Sequence, residues 1–207
     1  MASAVARAKL ARAARRLNQG AGLRTRLPPL IFLSDELRVR DPVGAAQSLP
    51  RGTAVILRHR DPALRAELAS GLARVAHARG LVLLIAGDPE LVARVGAAGQ
   101  HLSQARISEA RHWRGRHPAW LITCAAHSER AVLHAARGGA DAVLLAPVFP
   151  TRSHPDAPAI GLLRACGIAG RAPLPVYALG GVGERTAVRL SGARFSGLAA
   201  IAALLPG

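Results

Sequence analysis

Short apolar runs recur along the chain. Between most of them lie segments in which apolar residues recur at the spacing of a helix. The runs predict eight strands, at residues 29–33, 54–57, 81–85, 99–102, 120–123, 142–145, 175–178 and 198–201. The spacing between them predicts helices over residues 63–78, 90–95, 128–137, 162–167 and 184–190. Continuous apolar runs that alternate with helices are typical of parallel strands buried on both faces. The pattern therefore predicts a single α/β domain, a (β/α)8 TIM barrel, with an open doubly wound sheet as the alternative.

The helix over residues 63–78 has the clearest periodicity between two predicted strands. Leu64, Leu68, Leu72 and Val75 recur at helical spacing in it, so they lie on one face of the helix.

The N-terminal segment differs from the rest because it is a basic amphipathic stretch without acidic residues. Leu10, Ala14 and Leu17 share one helical face, and arginines lie off that face. We interpret residues 1–24 as an extra helix that packs on a barrel formed by residues 25–207. A helix on a membrane surface and a transit-like presequence are the alternatives.

The formal net charge of +16 raises the question of an anionic partner. Nearly all of the positive charge is arginine, and Lys9 is the sole lysine. A basic patch for phosphate ligands or nucleic acid is one interpretation. An arginine-for-lysine bias of the surface is the favoured one, because the few aromatic residues do not interleave with the arginines as base stacking requires. Local support for nucleic-acid binding is confined to the basic and aromatic cluster at residues 112–117.

Cysteine content and hydropathy indicate in which cellular compartment we expect the protein. Cys124 and Cys166 form neither a disulfide framework nor a metal-ligand spacing, which favours a reducing cytoplasm. No apolar run reaches the roughly 18 residues that a membrane helix needs, so we expect no membrane partner. The sequence leaves open whether the chain forms a homo-oligomer.

Candidate phosphate-binding residues follow the predicted strands, at the end where TIM-barrel active sites lie. Gly180 and Gly181 follow the seventh strand, and glycines let backbone N–H groups approach phosphate oxygens closely. A tight turn is the alternative. Arg58 follows the second strand and could bind a second phosphate with its bidentate fork, or form an ion pair with Asp35 or Asp88.

Two further strand ends carry groups that suit metal binding and proton transfer. Asp88 could hold Mg²⁺, or could cap the helix that follows it. His127 follows the fifth strand and could move protons, or could be a structural, hydrogen-bonded histidine. His101 is interpreted as a packing residue.

With these residues in place, the chain resembles the thiamine-phosphate synthase / thiazole tautomerase family from about Leu30 to its C-terminus. The strongest segment is residues 124–161, CAAHSERAVLHAARGGADAVLLAPVFPTRSHPDAPAIG. It is similar to the family's Ala/Val-His-Ser, helix, Gly-Ala-Asp, apolar strand and Pro-hydrophobic-Phe-Pro-Thr pattern. Residues 175–187, PVYALGGVGERTA, are similar to the family's seventh strand and phosphate-binding Gly-Gly.

The resemblance implies roles for particular residues. It assigns Arg58 and Arg60 to the pyrophosphate, the latter at the place of a lysine. It assigns Asp88 to Mg²⁺ as the first of two aspartates, and Gln104 and Thr151 to the substrates. It assigns Gly180 and Gly181 to the phosphate of the thiazole.

The chain also departs from the family pattern at several of these places. Gly87 stands where asparagine is usual, and Ile56 where glutamine is usual. Arg106 stands where the second Mg²⁺ aspartate is expected. The segment 153–154, Ser-His, replaces Thr-Lys, so the lysine that contacts pyrophosphate is absent. Three residues could supply the missing positive charge, namely Arg106, Arg152 and His154 when protonated.

The resemblance implies an enzyme of thiamine biosynthesis that uses Mg²⁺. It would couple hydroxymethylpyrimidine pyrophosphate to a thiazole phosphate and release pyrophosphate, and the departures predict weakened activity. One alternative is a metal-independent thiazole tautomerase that uses His127 as acid and base. Another is a non-catalytic barrel that binds a phosphorylated ligand, or, with less support, nucleic acid.

Overall fold

The computed structural model, which describes residues 3–151 and 158–205, is a closed barrel of eight parallel strands. The strands are β1 (Leu30–Leu33), β2 (Ala54–Leu57), β3 (Val82–Ala86), β4 (Gly99–Leu102), β5 (Leu121–Ala126), β6 (Ala142–Leu145), β7 (Val176–Ala178) and β8 (Gly197–Ala200). Each strand pairs with its neighbours in sequence, and β8 returns to β1 with Phe32 opposite Ala200. The predicted (β/α)8 barrel is confirmed, and all eight predicted strands are present in the described residues.

Helices surround the barrel and connect the strands. They are α1 (Ala4–Gly20), α2 (Pro42–Gln47), α3 (Pro62–Arg79), α4 (Pro89–Val95), α5 (Ala110–Arg116), α6 (Glu129–Arg137), α7 (Leu162–Arg171) and α8 (Glu184–Ala187). Short 3-10 segments lie at Gln104–Glu109, Val188–Leu190 and Ala202–Leu204. The sequence pattern missed α2 and α5, since neither PVGAAQ nor ARHWRGR carries a row of large apolar residues at helical spacing. Asp41, whose side chain caps α2, followed by Pro42 at its first position, is the signal that would have located α2.

The apolar row of α3 is buried along only part of its length. Leu64 is 41% exposed, whereas Leu72 in the same row is buried. Leu64 lies in the first turn of the helix and lines a small pocket together with Asp35 and His59.

Side chains alternate between two packed layers along each strand. Ile31, Leu33 and Tyr177 fill the inside of the barrel, while Phe32 faces the helices. Tyr177 is fully buried, and its hydroxyl donates a hydrogen bond to the Leu27 carbonyl at 2.9 Å. Because side chains fill the inside, a ligand has to bind at the mouth of the barrel.

The N-terminal helix α1 lies against the barrel. Leu10, Ala14 and Leu17, the face identified from the sequence, are buried. Asn18 donates from Nδ2 to the Ser196 carbonyl at 2.9 Å, just before β8, and Lys9 forms an ion pair with Glu184 at 2.6 Å. Among the described residues, no helix is both long enough and apolar enough to cross a membrane.

Candidate functional site

A cavity of about 410 Å³ opens where the C-terminal ends of the strands meet. All eight strands, or the residues just after them, contribute to its wall. A wider groove of about 700 Å³ adjoins it beyond β7 and β8. The two share Thr151, Leu179, Gly180 and Ile201, so they form one continuous opening at the mouth.

The structure brings most of the predicted site residues to this opening. Arg58, Gln104, His127, Thr151 and Gly180 line the cavity, and Gly181 lines the groove. Arg60 and Asp88 do not line either of them. The Arg60 side chain is 92% exposed and pairs with Glu36 on the outside of the rim. His154, Arg152 and Ser153 lie outside the described residues.

The turn after β7 has a backbone that requires glycine. Gly180 and Gly181 have φ angles of +87° and +64°. A Cβ on Gly181 would lie 2.6 Å from the Pro150 carbonyl oxygen, and a Cβ on Gly180 would lie 2.6 Å from the Cα of Pro147. The glycines therefore let this turn pack directly against the segment that follows β6.

The same turn lines the groove with residues Gly181, Val182 and Gly183. Thr186 stabilises the turn, because its hydroxyl donates to the Gly181 carbonyl at 2.8 Å and accepts from the Gly183 N–H at 2.9 Å. The N–H groups of Gly181 and Val182 donate to no acceptor in the part of the chain that the structure describes. An anion in the groove would satisfy such donors.

Two arginines share one buried carboxylate at the rim above β1 and β2. Asp35 accepts from Arg38 Nη2 at 2.8 Å and from Arg58 Nη2 at 2.7 Å. The hydrogen bonds and charge of Arg38, assisted by Arg58, outweigh burial and lower the pKa of Asp35 to about 2. Arg38 was not predicted. The available signal was its position three residues after Asp35, in the loop that follows β1.

Arg58 forms an ion pair with Asp35, as the sequence allowed. Arg58 nevertheless still lines the cavity. The Arg58 side chain is half exposed, and its described hydrogen bonds use a single guanidinium N–H. Asp35 therefore orients Arg58, while its remaining N–H groups are available to an anion.

His101 lines the cavity together with Arg58 and is buried. Its Nδ1 is 2.9 Å from the Thr123 hydroxyl inside the barrel. Burial, with the positive charge of Arg58, lowers the pKa of His101 to about 4. His101 is therefore buried, as expected of a packing residue, and also forms part of the cavity wall. Its imidazole is neutral at neutral pH.

His127 lines the same cavity and is held by two hydrogen bonds. Its Nδ1 is 2.7 Å from the Ala146 carbonyl, which can only accept, so Nδ1 carries a hydrogen. Its backbone N–H donates to Gln104 Oε1 at 2.7 Å, so Gln104 positions the loop between β5 and α6. In the neutral ring Nε2 is therefore the acceptor nitrogen, which suits a proton-transfer group.

Asp88, the predicted metal ligand, is engaged by other groups. One carboxylate oxygen accepts from the Leu91 N–H at 3.0 Å as the N-cap of α4, and the other accepts from Arg65 Nη2 at 2.9 Å. Burial opposes ionisation, but the Leu91 N–H and Arg65 outweigh it, so the pKa of Asp88 is lowered. Within residues 3–151 and 158–205, no group of three His, Cys, Asp or Glu side chains is arranged to hold a metal.

Arg106 occupies the mouth of the cavity near the end of β3. Its Nη1 donates to the Gly87 carbonyl at 2.9 Å, while Nε and Nη2 donate to the two carboxylate oxygens of Glu109 at 2.6 Å and 2.7 Å. The cavity wall thus carries three guanidinium groups, of Arg38, Arg58 and Arg106, and its described lining includes no carboxylate.

The cluster at residues 112–117 is packed within the fold. It forms most of α5, and Trp113 packs against the core. His117 stacks on Trp120 with ring centroids 3.7 Å apart and planes at 7°. Because these rings stack on one another, less aromatic surface is left for bases to stack on.

Comparison with known proteins places these features in a family context. A profile described as thiamine monophosphate synthase matches residues 35–204. A thiamine-phosphate synthase from Alcanivorax borkumensis is 33% identical over 170 residues, which are 77% of this chain and 76% of that protein. A putative thiamine-phosphate synthase 2 from Aquifex aeolicus is 35% identical over 101 residues, so the match spans about half of each protein, 49% of this chain and 54% of that one. The structure of a thiamine phosphate pyrophosphorylase from Pyrococcus furiosus superimposes with a TM-score of 0.67 at 21% identity, covering 83% of this chain and 84% of that one.

Proposed function

Because this chain belongs to the thiamine monophosphate synthase family, we propose that it couples a pyrimidine pyrophosphate to a thiazole phosphate. The observation that carries the proposal is the single opening at the mouth of the barrel. It combines a glycine turn on one side with an arginine-lined cavity on the other. Two phosphorylated substrates that react with each other require two such sites side by side.

The glycine turn is the proposed site of the thiazole phosphate. The unpaired N–H groups of Gly181 and Val182 would donate to phosphate oxygens in the groove. The thiazole ring would then extend past Gly180 and Thr151, which border both the groove and the cavity.

The arginine side of the cavity is the proposed site of the pyrophosphate. In the reaction, the C–O bond between the pyrimidine methylene and pyrophosphate breaks, and its electron pair leaves on the pyrophosphate. The thiazole nitrogen forms the new C–N bond with its lone pair. Arg58, held in place by Asp35, would stabilise the charge that develops on the leaving oxygen.

The proposed activity is weaker than that of relatives with paired aspartates. One preorganised group that stabilises a developing charge contributes roughly 3 kcal/mol, or about 100-fold in rate. The chain lacks the second aspartate and the loop lysine, while the three guanidinium groups of the cavity compensate in part.

A second candidate function is metal-independent isomerisation of a thiazole carboxylate phosphate. The geometry of His127 favours it, because Nδ1 is fixed on the Ala146 carbonyl and Nε2 remains as a proton acceptor beside the cavity. This reaction would use the same glycine turn for the phosphate.

The test incubates the purified protein with both coupling substrates and follows thiamine phosphate by its oxidised fluorescent derivative. Isomerisation is followed separately by proton exchange in D₂O. Coupling that falls about 100-fold in Arg58→Gln, but persists in His127→Gln, supports the first function. Isomerisation that is lost in His127→Gln and kept in Arg58→Gln supports the second. Neither product from the folded protein would contradict both.

A further inference from the structure

We propose that Arg106 replaces the metal at the pyrophosphate end of the cavity, so that guanidinium groups bind the anion directly without a divalent cation. The inference rests on the proposed function only in locating a pyrophosphate-type anion at this end of the opening. It concerns which groups bind the anion, and a measurement of pyrophosphate binding tests it without the coupling reaction.

The carboxylates near this end are unsuited to Mg²⁺. Both oxygens of Asp88 are occupied, by the Leu91 N–H and by Arg65. Asp35 accepts hydrogen bonds from both Arg38 and Arg58. A metal would have to displace these donors, and among the described residues no three His, Cys, Asp or Glu side chains are grouped to hold one.

Arg106 is held rigidly by its neighbours. Glu109 accepts from Nε and Nη2, and the same carboxylate accepts from Trp113 Nε1 at 3.2 Å. The Gly87 carbonyl accepts from Nη1. A guanidinium has five N–H donors, so one N–H each on Nη1 and Nη2 still has no partner among the described residues. These two N–H groups suit bidentate contact with phosphate oxygens.

Gly87 provides the space that Arg106 occupies. Gly87 has a φ angle of +69°, and a Cβ at this position would lie 3.0 Å from Arg106 Nη1. Asparagine, which is usual here in the family, would crowd the guanidinium. Gly87 and Arg106 both differ from the family pattern, and the first makes room for the second.

The charges around the cavity favour the same assignment. Arg38, Arg58 and Arg106 reach its wall, whereas their carboxylate partners Asp35 and Glu109 do not line it. An anion is attracted to such a wall, and a divalent cation is repelled by it.

The test measures binding of inorganic pyrophosphate by calorimetry, in EDTA and then with excess Mg²⁺. The wild type should bind in EDTA, and Arg106→Gln should weaken that binding at least about tenfold, as expected for loss of charge-assisted hydrogen bonds. Arg116→Gln, the same change on the exposed side of α5, is the matched control and should bind like the wild type. Thermal melts identify any variant that fails to fold. Arg106→Lys keeps the charge without the fork and should fall between the two.

Binding that requires Mg²⁺, or that is equal in the wild type and Arg106→Gln, would overturn the inference. The outcome is separate from that of the proposed function. Metal-free, Arg106-dependent binding without coupling would leave the inference standing and reject the coupling reaction. Coupling that strictly requires Mg²⁺ would do the reverse.

Discussion

His101 makes the stability of the barrel depend on pH in a specific window. Its imidazole is 7% exposed, bonded to Thr123 and near Arg58, and its pKa is lowered from 6.5 to about 4. Between these two values the unfolded chain binds a proton that the folded chain does not. The contribution of His101 to the free energy of unfolding is therefore fully present above about pH 6.5 and falls as the pH drops toward about 4. Below about pH 4 it changes no further.

The size of the effect follows from the shift. A change of about 2.5 pKa units corresponds to about 3 kcal/mol in total, since one unit is about 1.4 kcal/mol. Between about pH 7 and about pH 5, the expected loss in the free energy of unfolding is about 2 kcal/mol. For a chain of this length, that lowers the melting temperature by about 4–8 °C.

The assay is urea unfolding of the wild type and of His101→Asn at both pH values. Asparagine keeps a polar atom near the Thr123 hydroxyl but does not bind a proton in this range. The variant should lose about 2 kcal/mol less than the wild type between the two pH values. His134→Asn, a change on the exposed face of α6, is the matched control and should keep the wild-type difference. Equal pH dependence of the wild type and His101→Asn would refute a buried, neutral His101.

Three further outcomes follow from the same geometry. Gly181→Ala should lower the free energy of unfolding by about 1–3 kcal/mol and abolish thiazole phosphate binding, because φ is +64° and the added Cβ would meet the Pro150 carbonyl. The control is Gly192→Ala, where φ is +80° but no atom lies within 4 Å of the added Cβ. This variant should lose stability through backbone strain and keep its phosphate binding. Asp35→Asn should cost roughly 2 kcal/mol in urea unfolding, because two arginines lose their counter-ion, and should weaken coupling more than stability alone explains. Tyr177→Phe should cost about 1–2 kcal/mol and leave ligand binding unchanged, since the Leu27 carbonyl loses its donor far from the mouth; an altered affinity would contradict the filled barrel.

Most of the strands were predictable from sequence because they are continuous apolar runs buried on both faces, whereas β4, Gly-Gln-His-Leu, gave a weaker signal. All eight were located to within a few residues. The helices α2 and α5 were missed because neither carries a row of large apolar residues at helical spacing. On α3, Leu64 shares a face with the buried Leu72 and is nevertheless 41% exposed. Sequence gives the period of a helix, and the neighbouring elements decide which positions are covered.

The site was predictable in part, and for a different reason. Residues directly after strands had to meet at one end of a barrel, so Arg58, His127 and Gly180 were expected together, and they are. The partners of the charged groups were not predictable. Arg58 had two candidate acids, and only the three-dimensional arrangement assigns it to Asp35 and gives Asp88 to Arg65. Such pairings depend on distances between different loops, which the spacing of residues along the chain does not contain.

Product formation by the intact protein tests the proposed coupling reaction directly. The purified chain is incubated with hydroxymethylpyrimidine pyrophosphate and thiazole phosphate, with Mg²⁺ and with EDTA, beside Arg58→Gln and Gly181→Ala. We expect thiamine phosphate from the wild type in both conditions and a loss of at least about 100-fold in either variant. Absence of product from the folded wild type under both conditions would contradict it.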